Sequence, residues 1–143
     1  MASCPRLDPL YERRRIRIGY VIDTWTWVEY YAGRISEVRE YIEHDDHDLF
    51  TSVLTLTEMI KFLGQTQDQP AVERVVRDIG IRSLVVPVSR EIAILAGGYK
   101  RQGFHGGIAD TIILATARMG KHKIVTGDLH FQDVPDVVFI EQS

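Results

Sequence analysis

The chain has 143 residues, of which 45% are hydrophobic and 26% are charged, a balance typical of a globular protein with one domain. This composition excludes a disordered chain, a collagen-like repeat and a long coiled coil, and the net charge of −3 argues against a uniformly basic nucleic-acid binder. Cys4 is the only cysteine, which excludes an intramolecular disulfide and a cysteine-rich zinc site. No segment resembles a membrane span or a secretory signal, so we expect a cytoplasmic protein without membrane contact.

The first residues of the chain differ from the rest. Residues 1–15 are polar and end in Arg13-Arg14-Arg15, and we expect them to form an N-terminal arm that is partly ordered. Two interpretations of these arginines stay open: they bind RNA phosphates, or they belong to a solvated tail. Residues 16–143 contain no internal repeat and no low-complexity tract, so we expect them to form a single domain.

Strands and helices alternate along that domain. Short apolar and β-branched runs predict strands at residues 16–22, 49–53, 83–88, 123–126 and 137–140. Helical periodicity, with Gly33 and Gly64 as stops, predicts helices at residues 25–32, 36–43, 55–63, 71–79, 89–101 and 108–119. The last of these helices is apolar nearly all round and should be buried. The alternation predicts an α/β fold with a mostly parallel sheet.

Four carboxylates fall at comparable places in this pattern. Asp23 closes the first strand, and Asp128 follows the strand at residues 123–126. Glu58 and Asp110 lie in the first turns of two apolar helices. In an open parallel sheet, ligands bind outside the carboxyl ends of the strands, where the following helices begin. We therefore expect the four acids to converge on one crevice.

Each acid also has a purely structural interpretation. Asp23 and Asp128 suit the N-cap position of a helix, and Glu58 suits a capping box with Thr55. Asp110 sits where a negative charge favours the helix dipole. The presence of all four acids together nevertheless favours a functional site. Asp110 lies at the start of an apolar helix that should be buried, where an unpaired charge is costly.

Several carboxylates in one crevice repel each other. At a separation of about 4 Å and an effective dielectric constant of about 20, one pair costs about 4 kcal/mol. A divalent cation removes that cost. We expect no histidine or cysteine among these acids, so the ligands are oxygen atoms, which suit Mg²⁺ or Mn²⁺ better than Zn²⁺. Ions of this kind activate water and stabilise the leaving oxygen of a phosphodiester.

These motifs resemble those of the PIN-domain ribonucleases, and more narrowly those of the toxin subunit of VapBC toxin–antitoxin pairs. The resemblance covers about residues 18–140. Its four segments are Val21-Ile22-Asp23-Thr24, Ser52-Val53-Leu54-Thr55-Leu56-Thr57-Glu58, Ile108-Ala109-Asp110-Thr111-Ile112-Ile113-Leu114-Ala115-Thr116-Ala117, and Ile124-Val125-Thr126-Gly127-Asp128 followed by Phe131. The resemblance implies a PIN-like, three-layer α/β/α sandwich with a mostly parallel central sheet.

The same resemblance implies an activity. By this resemblance, the catalytic and metal-binding acids of the family match Asp23, Glu58, Asp110 and Asp128. The supporting hydroxyl groups of the family match Thr24 and Thr126. The implied protein is an endoribonuclease that depends on Mg²⁺ or Mn²⁺ and hydrolyses RNA phosphodiester bonds as the toxin of a toxin–antitoxin pair. Its implied partners are RNA, a small antitoxin protein and a second copy of the chain.

Two features depart from the family pattern. Trp25 stands where a small or polar residue is usual, and residues 97–107 are rich in glycine. Neither feature involves the four acids, so both bear on how a substrate fits more than on catalysis. The aromatic residues between Trp25 and Tyr31 are interpreted mainly as packing. A basic side to the crevice would come from the N-terminal arm or from Lys100, Arg101, Lys121 and Lys123.

A function of a different class stays open as the alternative, a PIN-like module that binds RNA or protein without cutting. A haloacid-dehalogenase-like phosphatase is excluded because Trp25 stands where its second aspartate is needed. A dinucleotide-binding fold is disfavoured because no Gly-x-Gly-x-x-Gly motif follows the first strand. The histidines are interpreted as loop or surface residues, namely His44, His47, His105, His122 and His130.

Overall fold

A computed structural model describes residues 17–142 of the chain. Five strands and six α-helices make up this part, and a pair of helices follows each of the first three strands. In chain order they are β1 (Ile18–Ile22), α1 (Thr24–Ala32), α2 (Ser36–Glu43), β2 (His47–Ser52), α3 (Val53–Leu63), α4 (Gln69–Arg82), β3 (Leu84–Val86), α5 (Arg90–Arg101), α6 (Ile108–Gly120), β4 (Lys123–Thr126) and β5 (Val137–Phe139), with a short 3-10 helix (Leu129–Phe131) before β5. The predicted N-terminal arm, with Arg13-Arg14-Arg15, lies outside the described residues.

The five strands form one sheet in the order β3-β2-β1-β4-β5, and every neighbouring pair is parallel. Val21 at the centre of the sheet lies opposite Phe50 of β2 and Ile124 of β4. The chain leaves β1 toward β2 and β3, then crosses to β4 and β5 on the other side. The strand order therefore reverses at β1, and the predicted α/β fold with a parallel sheet is confirmed.

Alternate side chains of the strands point into two separate apolar layers, as a period of two residues requires. Tyr20 and Ile22 of β1 pack with helices α1 to α4 on one face of the sheet. Val21 packs on the other face with Ile113 of α6, and α6 in turn packs against α5 through Ala115. The molecule is therefore the expected three-layer α/β/α sandwich.

One predicted boundary changes the interpretation of a site residue. Helix α3 begins at Val53, two residues before the predicted start, because the Ser52 hydroxyl caps it by accepting from the Leu54 N–H at 3.3 Å. Glu58 therefore lies in the second turn, and its interpretation as the acid of a capping box with Thr55 is wrong. The strand predicted at residues 83–88 is also shorter, Leu84–Val86, because Pro87 has no N–H to extend the ladder.

Helix α6 is buried along its middle, as its apolar sequence predicts. Residues 113–117 are all buried, whereas Ile108 and Met119 at the two ends are exposed. None of the helices within residues 17–142 has both the length and the apolar character needed to cross a bilayer.

Candidate active site

The candidate site lies at the carboxyl edge of the sheet, beside the point where the strand order reverses. Asp23 directly follows β1, and Asp128 follows the neighbouring strand β4 after a single glycine. Asp110 is in the first turn of α6, which begins at the same edge. This is the position at which parallel α/β sheets bind their ligands.

Asp23 is buried, with 2% of its surface exposed, and both of its carboxylate oxygens are held. Oδ1 accepts from the Thr26 N–H at 2.9 Å and from the Thr26 hydroxyl at 2.7 Å, and Oδ2 accepts from the Thr126 hydroxyl. Burial raises the pKa of Asp23 to about 7, against the lowering effect of these hydrogen bonds, and the charge of Asp128 adds to the rise. The Asp23 carboxyl therefore titrates near neutral pH.

Asp110 and Asp128 approach each other on either side of His130. The Nδ1 of His130 lies 3.0 Å from Oδ2 of Asp110 and 3.2 Å from Oδ1 of Asp128. One ligand atom from each of the three residues lies within 4.8 Å of the others. The pKa of Asp110 is raised, first by burial and then by the charge of Asp128, while His130 opposes the rise.

The prediction that no histidine joins the acids is therefore wrong. His130 is half-exposed, which agrees with its interpretation as a surface residue, but its imidazole contacts both carboxylates. The signal that sequence reasoning missed is the spacing Asp128-Leu129-His130. In the 3-10 helix, Asp128 caps the His130 N–H at 2.9 Å, and this geometry turns the histidine back toward the acids.

Glu58 stands apart from the group formed by Asp110, Asp128 and His130. Its Oε1 accepts from the Thr24 hydroxyl at 2.7 Å, and that hydroxyl lies 3.2 Å from the hydroxyl of Thr55. Because Thr24 is the next residue after Asp23, Glu58 lies near the junction of β1 and α1. Glu58 also borders a cavity of about 420 Å³, whose apolar wall includes Trp25 and Phe62.

Trp25 covers the turn that connects Thr126 to Asp128. A Cβ atom added to Gly127 would lie 2.3 Å from the indole ring of Trp25, so only glycine fits beneath the ring. The unusual Trp25 is therefore accommodated by the absence of a side chain at Gly127. The neighbouring Trp27 is fully buried and donates from Nε1 to the Thr51 hydroxyl at 3.1 Å, which agrees with the interpretation of these aromatic residues as packing.

The expected basic side of the crevice is only partly present. Lys100 donates to the carbonyl oxygens of Phe104 at 3.1 Å and Gly106 at 2.7 Å, and so it holds the loop that leads into α6. Lys121 lies just before β4 and Lys123 is its first residue, so both are at the opposite edge of the sheet and their assignment to the crevice is wrong. Parallel strands separate the two edges by their full length.

The donor atoms of the site fit a divalent cation. Asp110 and Asp128 offer carboxylate oxygens on one side of the site, and Asp23 lies buried beside Asp128. Within residues 17–142, Oδ1 of Asp110 and Oδ2 of Asp128 accept no hydrogen bond. Burial and the charge of Asp128 raise the pKa values of Asp23 and Asp110, so a nearby positive charge would stabilise their ionised forms.

Comparison with known proteins identifies both the sequence pattern and the fold. The model of the PIN domain family matches residues 20–137. Comparison with curated proteins gives no match.

Solved structures of the same fold include chains of toxin–antitoxin proteins. A chain of a toxin–antitoxin complex from Klebsiella pneumoniae superposes with a TM-score of 0.72 and 23% identity, over 86% of this chain and 99% of that chain. A chain of a DNA-bound VapBC from Salmonella typhimurium gives a TM-score of 0.71 and 22% identity, over 87% of this chain and 98% of that one. VapC20 of Mycobacterium tuberculosis, a toxin that cleaves the sarcin–ricin loop, gives 0.70 and 14% identity, over 86% and 99%.

Proposed function

The chain belongs to the PIN domain family, and on that premise we propose that it is a metal-dependent endoribonuclease that hydrolyses phosphodiester bonds of RNA. The observation that carries the proposal is the pair of carboxylates, Asp110 and Asp128, that meet at the carboxyl edge of the sheet beside the buried Asp23. Acids placed together in this way are costly unless a cation neutralises them.

The cation in this proposal is Mg²⁺ or Mn²⁺. Asp110 and Asp128 would hold it directly, with Asp23 and Glu58 in the same site. When bound, such an ion polarises the scissile phosphate, lowers the pKa of water and stabilises the leaving oxygen.

The surrounding residues position these acids. The hydroxyl groups of Thr26 and Thr126 hold the Asp23 carboxylate, and the Gly107 N–H holds Oδ2 of Asp110 at 3.3 Å. The Thr24 hydroxyl holds Oε1 of Glu58, so we assign Oε2 of Glu58 to accept the proton of the attacking water. In this assignment Thr24 and Thr126 are positioning residues.

We also propose that the protein is the toxin of a toxin–antitoxin pair, of the VapC type, and that it acts in the cytoplasm. The support is its likeness in fold to chains of toxin–antitoxin complexes over nearly their whole length. The partner is then a small antitoxin with basic side chains, because an arginine satisfies paired carboxylates well. A homodimer is part of the same proposal, and light scattering that finds only monomer at micromolar concentration would contradict it.

Cleavage of a mixed RNA pool by the purified protein tests the proposed activity. The reactions contain Mg²⁺, Mn²⁺ or EDTA, and they compare the wild type with Asp110→Asn and with Asp45→Asn. Asp45 is an exposed acid in the turn before β2, at the opposite edge of the sheet, and therefore serves as the matched control.

We expect metal-dependent cleavage by the wild type and by Asp45→Asn, and none by Asp110→Asn. Equal cleavage by all three proteins would identify a contaminating nuclease and contradict the proposal. No cleavage in any reaction, together with retained binding of RNA, would favour the alternative of a module that binds without cutting.

A further inference from the structure

The position of His130 is the feature of this site that an all-oxygen metal centre does not explain. Its imidazole does not point into solvent, although half of the side chain is exposed. Instead, Nδ1 lies between two carboxylates, at 3.0 Å from Asp110 and 3.2 Å from Asp128. A nitrogen at that position is close enough to both carboxylates to reach an ion that they share.

The side chains of neighbouring residues fix the backbone of His130. Asp128 Oδ1 accepts from the His130 N–H at 2.9 Å, and the following residue, Phe131, is fully buried and anchors the 3-10 helix in the core. Only the side-chain torsions of His130 remain to be ordered, so the imidazole is close to a ligating position at low entropic cost.

The separations between the donor atoms agree with ligation of a single ion. In an octahedral site with ligand distances of about 2.1 Å, neighbouring ligand atoms lie about 3 Å apart. The two distances from Nδ1, 3.0 Å to Oδ2 of Asp110 and 3.2 Å to Oδ1 of Asp128, have that length. Each of these oxygens also accepts a backbone N–H, from Gly107 and from His130 respectively, and a carboxylate oxygen keeps a second lone pair for an ion. The same two distances also suit hydrogen bonds from an imidazolium, which is the competing interpretation.

We infer that His130 supplies, through Nδ1, a nitrogen ligand to the divalent cation held by Asp110 and Asp128, and that this ligand makes the site prefer Mn²⁺ to Mg²⁺. The inference rests on the proposed metal dependence and adds to it the identity of the third ligand and of the favoured ion. Mg²⁺ takes oxygen ligands almost exclusively, whereas transition-metal ions accept imidazole readily.

Electron spin-echo spectroscopy of bound Mn²⁺ tests this ligation without any use of activity. A nitrogen that ligates Mn²⁺ modulates the echo, whereas a nitrogen that only pairs with the carboxylates and is displaced by the ion does not. The proteins are the wild type, His130→Ala, His130→Asp and His44→Ala. His44 is the matched control, because it is a half-exposed histidine whose Nδ1 lies 3.6 Å from a carboxylate, that of Asp46, at the opposite edge of the sheet.

We expect nitrogen modulation in the wild type and in His44→Ala, and none in the two His130 variants. Titration calorimetry should show that the ratio of Mn²⁺ affinity to Mg²⁺ affinity falls about tenfold or more in His130→Asp, which keeps a ligand but replaces nitrogen with oxygen. Two results would overturn the inference. One is that Mn²⁺ binds the wild type without nitrogen modulation of the echo. The other is that the ratio of Mn²⁺ affinity to Mg²⁺ affinity is the same in His130→Asp as in the wild type.

Failure of this inference can be told apart from failure of the proposed function. Metal-dependent cleavage of RNA without nitrogen modulation would support the proposed ribonuclease and contradict the ligation by His130. Nitrogen modulation without cleavage of any RNA would support the ligation by His130 and contradict the proposed ribonuclease. A wild type that binds no Mn²⁺ overturns both.

Discussion

Asp23 is a buried acid whose charge costs the fold stability, and this cost depends on pH. In the folded protein its pKa is raised by burial to about 7, from the ordinary value of 3.8. The folded state therefore binds the proton more tightly than the unfolded state does. The resulting stability is fully present below about pH 4 and is lost as the pH rises through about 7.

The substitution Asp23→Asn should remove this pH dependence, because the amide does not titrate. Between about pH 4 and pH 8, the free energy of unfolding of the metal-free wild type should fall relative to the variant by on the order of 4 kcal/mol, at about 1.4 kcal/mol per pKa unit. Urea denaturation across this range, in EDTA, measures the difference. Asp45→Asn is the control and should run parallel to the wild type, and parallel curves for Asp23→Asn would contradict the raised pKa.

The hydroxyl of Thr126 serves two site residues at once. It donates to Oδ2 of Asp23 and accepts from the Asp128 N–H at 3.0 Å. Thr126→Val keeps the volume but leaves both partners without this bond, so we expect a loss of about 1–3 kcal/mol in the free energy of unfolding. We also expect a further rise in the pKa of Asp23, because the Thr126 hydrogen bond lowers that pKa. Denaturation and the pH titration of the variant measure the two effects.

Thr116→Val is the matched control for that substitution. The Thr116 hydroxyl is buried in α6 and donates only to the carbonyl oxygen of Ile112, one turn earlier, at 2.7 Å. Removing this hydroxyl should lower the free energy of unfolding only slightly and should leave the pKa of Asp23 unchanged. Equal effects of the two substitutions would show that the Thr126 hydroxyl has no special part in the site.

The positions of individual acids could be predicted better than their contacts. Asp23, Asp110 and Asp128 follow strands or open a helix, and the topology of a parallel sheet brings such positions to one edge. The approach of His130 depends instead on the turn type of three residues, which carries no periodicity. The partner of Glu58 could not be predicted either, because Thr24 lies 34 residues away in the sequence.

At the scale of elements, periodicity predicts where a helix exists and capping decides where it begins. Residues 36–43 and 123–126 are predicted with the bounds that the structure has. Helix α3 begins earlier than predicted because Ser52, which belongs to the predicted strand at residues 49–53, accepts the capping hydrogen bond. Choosing between Ser52 and Thr55 as the capping residue requires the tertiary structure.

The turn after β4 depends on a close contact with helix α1. Gly127→Ala would place a methyl group 2.3 Å from the Trp25 ring, so either the ring or the turn must move. We expect a loss of about 1–3 kcal/mol in the free energy of unfolding. The double variant with Trp25→Ala should recover part of this loss, because the two residues are in contact. Thermal and urea denaturation of the four proteins in the cycle measure the coupling.

Gly97→Ala is the matched control for the glycine substitution. Gly97 lies within helix α5, and a Cβ atom added there meets nothing within 4 Å. This substitution should raise the free energy of unfolding by about 0.5–1 kcal/mol, because glycine is unfavourable inside a helix. A stable Gly127→Ala protein, or additive losses in the double variant, would contradict the contact between the turn and α1.

At the scale of the whole molecule, the sheet order explains why acids that are far apart in sequence share one site. Asp23 and Asp128 are separated by more than 100 residues, yet they follow neighbouring strands because β4 pairs with β1. The chain as a whole has a net charge of −3, and this edge brings Asp110 and Asp128 together beside the buried Asp23. RNA phosphates are repelled less by such an edge once a divalent cation offsets part of its negative charge.

Mg²⁺ or Mn²⁺ should therefore stabilise the whole fold, because the ion binds the folded site and not the unfolded chain. At about one hundred times the dissociation constant, the free energy of unfolding rises by about 2.7 kcal/mol, which raises the Tm by about 5–10 °C. The effect should be larger near pH 8 than near pH 5, since protons compete for Asp23 at the lower pH. Calorimetric scans with and without the ion should show it for Asp45→Asn and not for Asp110→Asn. An equal gain in Asp110→Asn would place the ion elsewhere on the surface, and the repulsion between buried acids would then be relieved by protons alone.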